Sequence, residues 1–140
     1  MTLIRFRDDE AHEEPAVTLD AFLGQSNATA VRLESDEDAR ALLPYLDRLT
    51  LIEIAFPTFR DGRGYSAASI LREAGYRGEL RAAGDVLIDQ VAPMRRVGFD
   101  AFASEGGLDP AAVDRAVARY DHVYQAAADG RIPIWAKRHG

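Results

Sequence analysis

The 140-residue chain contains no cysteine, which removes disulfides, thiolate nucleophiles and cysteine-ligated zinc or iron–sulfur centres at once. Histidine is nearly as scarce. His12, His122 and His139 are scattered over the start, a helical segment and the tail, so neither a Ser-His-Asp triad nor a histidine metal centre is expected. No apolar run approaches the roughly 20 residues of a membrane span. Arg5, Arg7, Asp8, Asp9 and Glu10 interrupt the region where a signal peptide needs an apolar core. A net charge of −6 also lacks the cationic excess that nucleic acid and anionic membranes attract. The expectation is a single cytoplasmic domain of ordinary length that binds neither nucleic acid nor membrane.

Positive charge is present but local. Arg60, Arg63, Arg72, Arg77, Arg81, Arg95 and Arg96 crowd the middle third, whereas Asp8 to Glu14 is an acidic run that reads as a solvated N-terminus. Three segments are expected: an irregular or short-strand stretch over 1–28, a (βα)4 domain over 29–128, and a tail over 129–140.

Within the middle segment the chain alternates between two hydrophobic periods. Ala30 to Glu34 is strand-like, and Ser35 with Asp38 resembles a capping box. Ala39, Leu42, Leu43 and Leu46 then recur at i, i+3, i+4, i+7, which predicts a helix ending near Arg48. Leu51 to Phe56 is the second strand. Ser66 can cap a helix striped by Ala67, Ile70, Leu71 and Ala74 and ended by Gly75, and Glu79 to Ala83 follows as strand three. Asp85 reads as the N-cap of a third helical segment carrying Leu87, Val91 and Met94. Pro93 requires either a kink or a start later than Val86. Asp100 to Ser104 is strand four, and Asp109-Pro110 opens a long amphipathic helix reaching Ala127.

Leu71-Arg72-Glu73-Ala74-Gly75-Tyr76 is echoed by Met94-Arg95-Arg96-Val97-Gly98-Phe99, the helix-Gly-aromatic-strand junction of consecutive βα units. Right-handed crossovers put every strand-to-helix loop at one edge of such a sheet. Two closures fit, half of a TIM-type barrel or an open flavodoxin-like sheet. Arg32, Glu34, Glu53, Glu79 and Arg81 recur at alternate strand positions, and a charged face suits the concavity of a half-barrel better than a doubly covered sheet. A homodimer is expected, since unfinished sheet edges need covering.

Ligands of parallel βα folds bind at the carboxyl ends of the strands. There the loop Pro57 to Ser66 stands out, with Gly62 and Gly64 able to take positive φ and Arg60 and Arg63 supplying donors before a helix N-terminus. It is neither a P-loop nor a dinucleotide fingerprint. Such a loop fits sulfate, sulfite, phosphate or a carboxylate; the competing reading is a turn whose Arg and Asp pair with each other. The candidate catalytic groups are Asp85, Glu79 and Tyr65. The candidate anion-binding set is Arg60, Gly62, Arg63, Gly64, Ser66 and Arg81. No cofactor motif is present, although Glu53, Glu79 and Asp85 would suit Mg²⁺ if they converged. Tyr120, Tyr124 and Trp135 read as core or interface.

The blocks Asp61-Gly62-Arg63-Gly64-Tyr65-Ser66, Gly78-Glu79-Leu80-Arg81-Ala82, Gly84-Asp85-Val86-Leu87 with Asp89-Gln90, and Gly98-Phe99-Asp100-Ala101-Phe102 together resemble the signature of a bacterial family, domain of unknown function 934. Pro93 and Val97 depart from its usual residues. The resemblance implies a part in assimilatory sulfate and sulfite reduction, in a family described as probable oxidoreductases and associated with sulfite reductase. On that basis the expected role is an accessory protein that takes a small oxyanion or a partner enzyme such as sulfite reductase. The alternatives are a small TIM-like lyase or isomerase with Asp85 as base and Arg63 as anion clamp, and a non-catalytic structural dimer.

Overall fold

The computed structural model describes residues 2–9, 15–24, 27–58 and 60–121. The expected tail and His12, His122, His139, Tyr124 and Trp135 lie outside them, as does the side chain of Tyr120. The element order is β1 (Thr2–Arg5), β2 (Val17–Thr18), α1 (Leu19–Gly24), β3 (Ala30–Leu33), a 3-10 helix (Ala39–Arg48), β4 (Leu51–Phe56), α2 (Arg63–Glu73), β5 (Glu79–Gly84), α3 (Ile88–Val97), β6 (Ala101–Ser104) and α4 (Pro110–Asp121). No helix among the described residues is long and apolar enough to cross a membrane.

The strands form one sheet in the order β1-β6-β5-β4-β3-β2. The pairs from β2 to β6 are parallel, and β1 alone runs antiparallel, against β6. The expected α/β class of four βα units is therefore observed, as an open sheet that does not close. The four units run side by side in chain order. Val31, Leu33, Ile52, Ile54, Phe56, Leu80, Ala82 and Phe102 share a single core with Phe22, Leu42, Leu71, Met94 and Val113 from the successive helices. Alternate strand residues thus face one helical layer, as expected when every crossover is right-handed and the strands advance in one direction. Short strands at 2–5 and 17–18, and the six-residue α1, add to the irregular N-terminal segment anticipated from sequence.

Two expected caps are corrected. The segment 39–48 is a 3-10 helix rather than an α-helix, because Pro44 lies inside it and cannot donate to an α-ladder. Its N-cap is Asp38, whose carboxylate accepts the Arg40 N–H at 2.9 Å, in place of a Ser35 box. Helix α3 starts at Ile88, later than Val86, and its N-cap is Leu87 rather than Asp85. The Val86 N–H bonds back to the Gly84 carbonyl at 3.1 Å, which turns the chain before the helix begins. The Gln90 carboxamide then supplies the acceptor that Leu87 lacks, taking the Leu87 N–H at 3.0 Å. Pro93 is accommodated within this helix.

The internal repeat is a structural one. Gly75 (φ 98°) and Gly98 (φ 118°) adopt left-handed backbone after α2 and α3. Tyr76 N–H returns to the Leu71 carbonyl at 3.1 Å, and Phe99 N–H to Met94 at 3.0 Å, the six-to-one bond of a Schellman ending. Arg72 donates to the carbonyl four residues on, at Tyr76, and Arg95 does the same to Phe99. The two arginines then diverge. Arg72 gives all five of its N–H groups to protein: two to the Gly98 carbonyl, one each to Tyr76 and Gly78, and one to the Asp100 carboxylate at 3.1 Å. Asp100, 3% exposed, also accepts from Arg7 at 2.7 Å and from the Leu80 N–H at 2.8 Å.

From Asp100 an alternating ion chain crosses to the face of the sheet opposite the α2 and α3 layer. Arg7 bridges Asp100 to Asp9, and Arg5 bridges Asp9 to Glu79. Arg81 joins Glu79 to Glu53, and Arg32 joins Glu53 to Glu34. The alternation of charges read from the sequence is this chain. Arg5 on β1 reaches Glu79 on β5 across the intervening β6, where its register partner is the small Ala101.

Removing one partner from a buried, fully bonded ion pair leaves the other charge uncompensated, a cost of about 3–5 kcal/mol. Asp100→Ala and Arg72→Ala are therefore each expected to lower the urea midpoint by that equivalent, whereas Arg40→Ala, on the surface, should move it by less than about 0.5 kcal/mol.

Candidate functional site

At the carboxyl edge of the strands, the β4–α2 loop is tied to itself. The Thr58 hydroxyl accepts the Arg60 N–H at 3.0 Å, and the Asp61 N–H returns to the Thr58 carbonyl at 3.1 Å. Asp61 then accepts three bonds from Arg63, from its backbone N–H (3.0 Å), Nε (3.1 Å) and Nη2 (3.0 Å). Arg63 Nη2 also donates to Ser35 Oγ at 3.2 Å, linking this loop to the one after β3. The Asp61 side chain is 8% exposed and that of Arg63 63%. Hydrogen bonds from the Arg63 side chain and backbone draw the Asp61 pKa from 3.8 to about 2.

The glycines of this loop differ from their expected roles. Gly62 is right-handed at φ −85° and serves as the N-cap of α2, which has no side-chain cap. Ser66 is thus the fourth residue of the helix, exposed on its surface, and not its cap. Gly64 is helical and buried, and a Cβ there would strike the Phe56 ring. The close approach predicted for this glycine is made to an aromatic ring. Positive φ occurs instead at Gly84 (111°), where a Cβ would meet the Phe56 carbonyl oxygen. That carbonyl also accepts the Asp85 N–H at 2.8 Å, fixing Asp85 beside the end of β4.

Tyr65 stacks edge-on against Phe56, with ring centroids 5.9 Å apart. Burial raises its pKa, and a side-chain hydrogen bond with Gln90 opposes that rise. Gln90 accordingly couples Tyr65 on α2 to the start of α3. The signal for Gln90 in the sequence is its position three residues after the end of a loop that offers no capping side chain.

Glu79 and Arg81 do not join this edge. Glu79, 2% exposed, begins β5, where Arg5 donates to one carboxylate oxygen at 2.9 and 2.7 Å and Arg81 to the other at 3.1 and 2.8 Å. At about 3.3 Å per residue it lies roughly 20 Å from Asp85 along the strand. Glu53, Glu79 and Asp85 therefore do not converge on a Mg²⁺ position. Among the described residues no three His, Asp or Glu side chains could hold a metal ion. Asp100, which accepts from Arg7, Arg72 and the Leu80 N–H, has no place among the residues singled out from sequence. Its signal was an acid directly ahead of an apolar strand.

A cleft of about 290 Å³ opens between the β3 loop and α2. Leu33, Ile54 and Ile70 line its apolar part; Glu34, Asp36, Glu37 and Asp38 line one side, Arg63 and Ser66 the other. Of these acids Glu34 pairs with Arg32 and Asp38 with Arg40, which leaves Asp36 and Glu37 against an Arg63 guanidinium that Asp61 already partly neutralises. The cleft thus offers carboxylate acceptors to a cationic or hydrogen-bond-donating surface.

The model of a family of bacterial proteins of unknown function, DUF934, matches residues 30–135. The chain belongs to this family. The match takes in β3 through α4 together with the cleft and the β4–α2 loop, as the signature blocks implied. No curated protein and no solved structure matches the chain. In this DUF934 protein the signature residues Gly64, Tyr65, Gly84 and Gln90 are explained by contacts with Phe56 and with one another.

Two outcomes follow. Because the folded-state pKa of Asp61 lies below its ordinary value, its contribution to stability is complete above about pH 4 and is lost as pH falls toward about 2. Urea midpoints measured across that window should fall less steeply in Asp61→Asn than in the parent. Gly64→Ala should destabilise by about 1–3 kcal/mol through overpacking against Phe56, measured as a lowered melting temperature.

Proposed function

We propose that this DUF934 protein is an accessory protein of assimilatory sulfate and sulfite reduction that docks a partner enzyme at the carboxyl edge of its sheet. The sulfur-assimilation part rests on the signature resemblance. The docking part rests on one observation, the closure of the Asp61–Arg63–Ser35 contacts. Donors that would cradle a small oxyanion are bonded within the chain, so the edge offers a preformed, mixed-charge surface beside an acid-lined cleft. Such a surface suits the polar rim of a protein interface, where charge complementarity sets orientation and association rate. A second reading, a small oxyanion held by Arg63, is favoured by the exposure of that guanidinium at the first turn of α2.

The two readings separate in one set of measurements. With sulfite reductase at low ionic strength, light scattering should show a complex that weakens with added salt. Asp36→Lys combined with Glu37→Lys should lower its affinity by about tenfold or more. If no complex forms, and sulfite alone raises the melting temperature of the parent but not of Arg63→Ala, the oxyanion reading replaces the docking one.

A further inference from the structure

The two edges of the sheet are finished differently. Strand β2 has two residues, and its Thr18 hydroxyl at once accepts the Ala21 N–H to start α1. Strand β1 has four residues and ends the sheet on the other side. Its Leu3 stands in a row of apolar side chains on the face opposite the α2 and α3 layer, in register with Ala103, which pairs with Ala83, which pairs with Ala55. The three alanines are each 4% exposed, while Leu3 is 42% exposed. The row therefore runs to the sheet edge and stops at an uncovered leucine.

We infer that β1 pairs antiparallel with β1 of a second copy of this chain, Leu3 opposite Leu3, joining two six-stranded sheets into one. An edge strand that pairs with its own copy forms an isologous, self-complementary interface under a two-fold axis. With that axis normal to the sheet, both helical layers stay on the same side, and residues directly opposite must point to the same face. Each of the four permitted frames then centres one β1 residue on its own copy. Centring on Thr2 overlaps the two strands at that residue alone and leaves no ladder. Centring on Arg5 sets two guanidinium groups opposite each other, which is repulsive. Centring on Ile4 places Leu3 against Arg5 and ends the apolar row on a charge. Centring on Leu3 continues the row, from Ala103 through both leucines to the partner's Ala103, and separates the two Arg5 Cα positions by about 14 Å along the strands. Charge and apolar continuity select the same frame.

The absence of cysteine makes a direct test available. Directly opposed residues hold their Cβ atoms about 4.5–5.5 Å apart, within reach of a short bis-maleimide and close to disulfide range. Leu3→Cys should cross-link to a covalent dimer, whereas Ile4→Cys, facing the helical layer, should not. Light scattering of the parent at tens of micromolar should give twice the chain mass. Leu3→Lys should give the monomer mass while retaining the parent's circular dichroism spectrum, since an edge charge blocks strand addition. A monomeric parent overturns the inference. So does a dimer that Leu3→Lys leaves intact, or one in which Leu3→Cys stays uncross-linked.

Discussion

A guanidinium with five protons to place and no water to place them in governs the lower half of this molecule. Burial pulls the Arg72 pKa down and the Asp100 carboxylate opposes the shift, yet an arginine stays charged at any ordinary pH. Its surroundings must therefore supply every acceptor. They do so from three junctions: the end of α2, the turn into β5 and the end of α3. Gly98 illustrates how far the demand reaches. A Cβ there would strike the Arg72 side chain, and its backbone is left-handed as well, so steric and conformational requirements coincide at one position. Asp100 then fixes β5 through the Leu80 N–H and the N-terminal strand through Arg7. The antiparallel β1 is thereby bound to the parallel sheet by charge as well as by its ladder.

The repeating parts of this architecture could be read from sequence because each βα unit announces itself in two periodicities. Strand β4 was predicted at its observed bounds, and α4 begins at the predicted Asp109-Pro110 signal, with Asp109 accepting the Ala111 N–H at 3.3 Å. What escaped was short or non-local. Strand β2 has two residues, too few for alternation to register, and β1 becomes a strand only because β6 lies beside it. The 3-10 segment was misread because its apolar spacing was weighed without Pro44. Leu43, placed on the predicted stripe, is accordingly exposed. The alternating charges were recognised as one face of the sheet, but their pairing order depends on strand neighbours that no local pattern contains.

The structure gathers only part of the candidate set at one edge of the sheet. Arg60, Arg63 and Asp85 lie just beyond the carboxyl ends of β4 and β5, because these strands run parallel, and Ser66 follows in the first turn of α2. Glu79 begins β5 and Arg81 lies within it, so the strand that delivers Asp85 to this edge carries both of them away from it. Glycine was the least informative residue type. Backbone freedom, room for a ring and room for a carbonyl all select it, and Gly62, Gly64 and Gly84 meet different requirements among these.

With Arg72 of α2 included, the ion network contains Arg72, Arg7, Arg5, Arg81 and Arg32 against Asp100, Asp9, Glu79, Glu53 and Glu34, so its charges cancel. The whole excess of −6 must then arise from the remaining residues. Seen from beyond a Debye length this network is nearly silent, and the field felt by an approaching molecule is set by carboxylates outside it, such as Asp36 and Glu37 at the cleft. The same arginines that hold the sheet together thus leave long-range attraction to a different edge of the molecule.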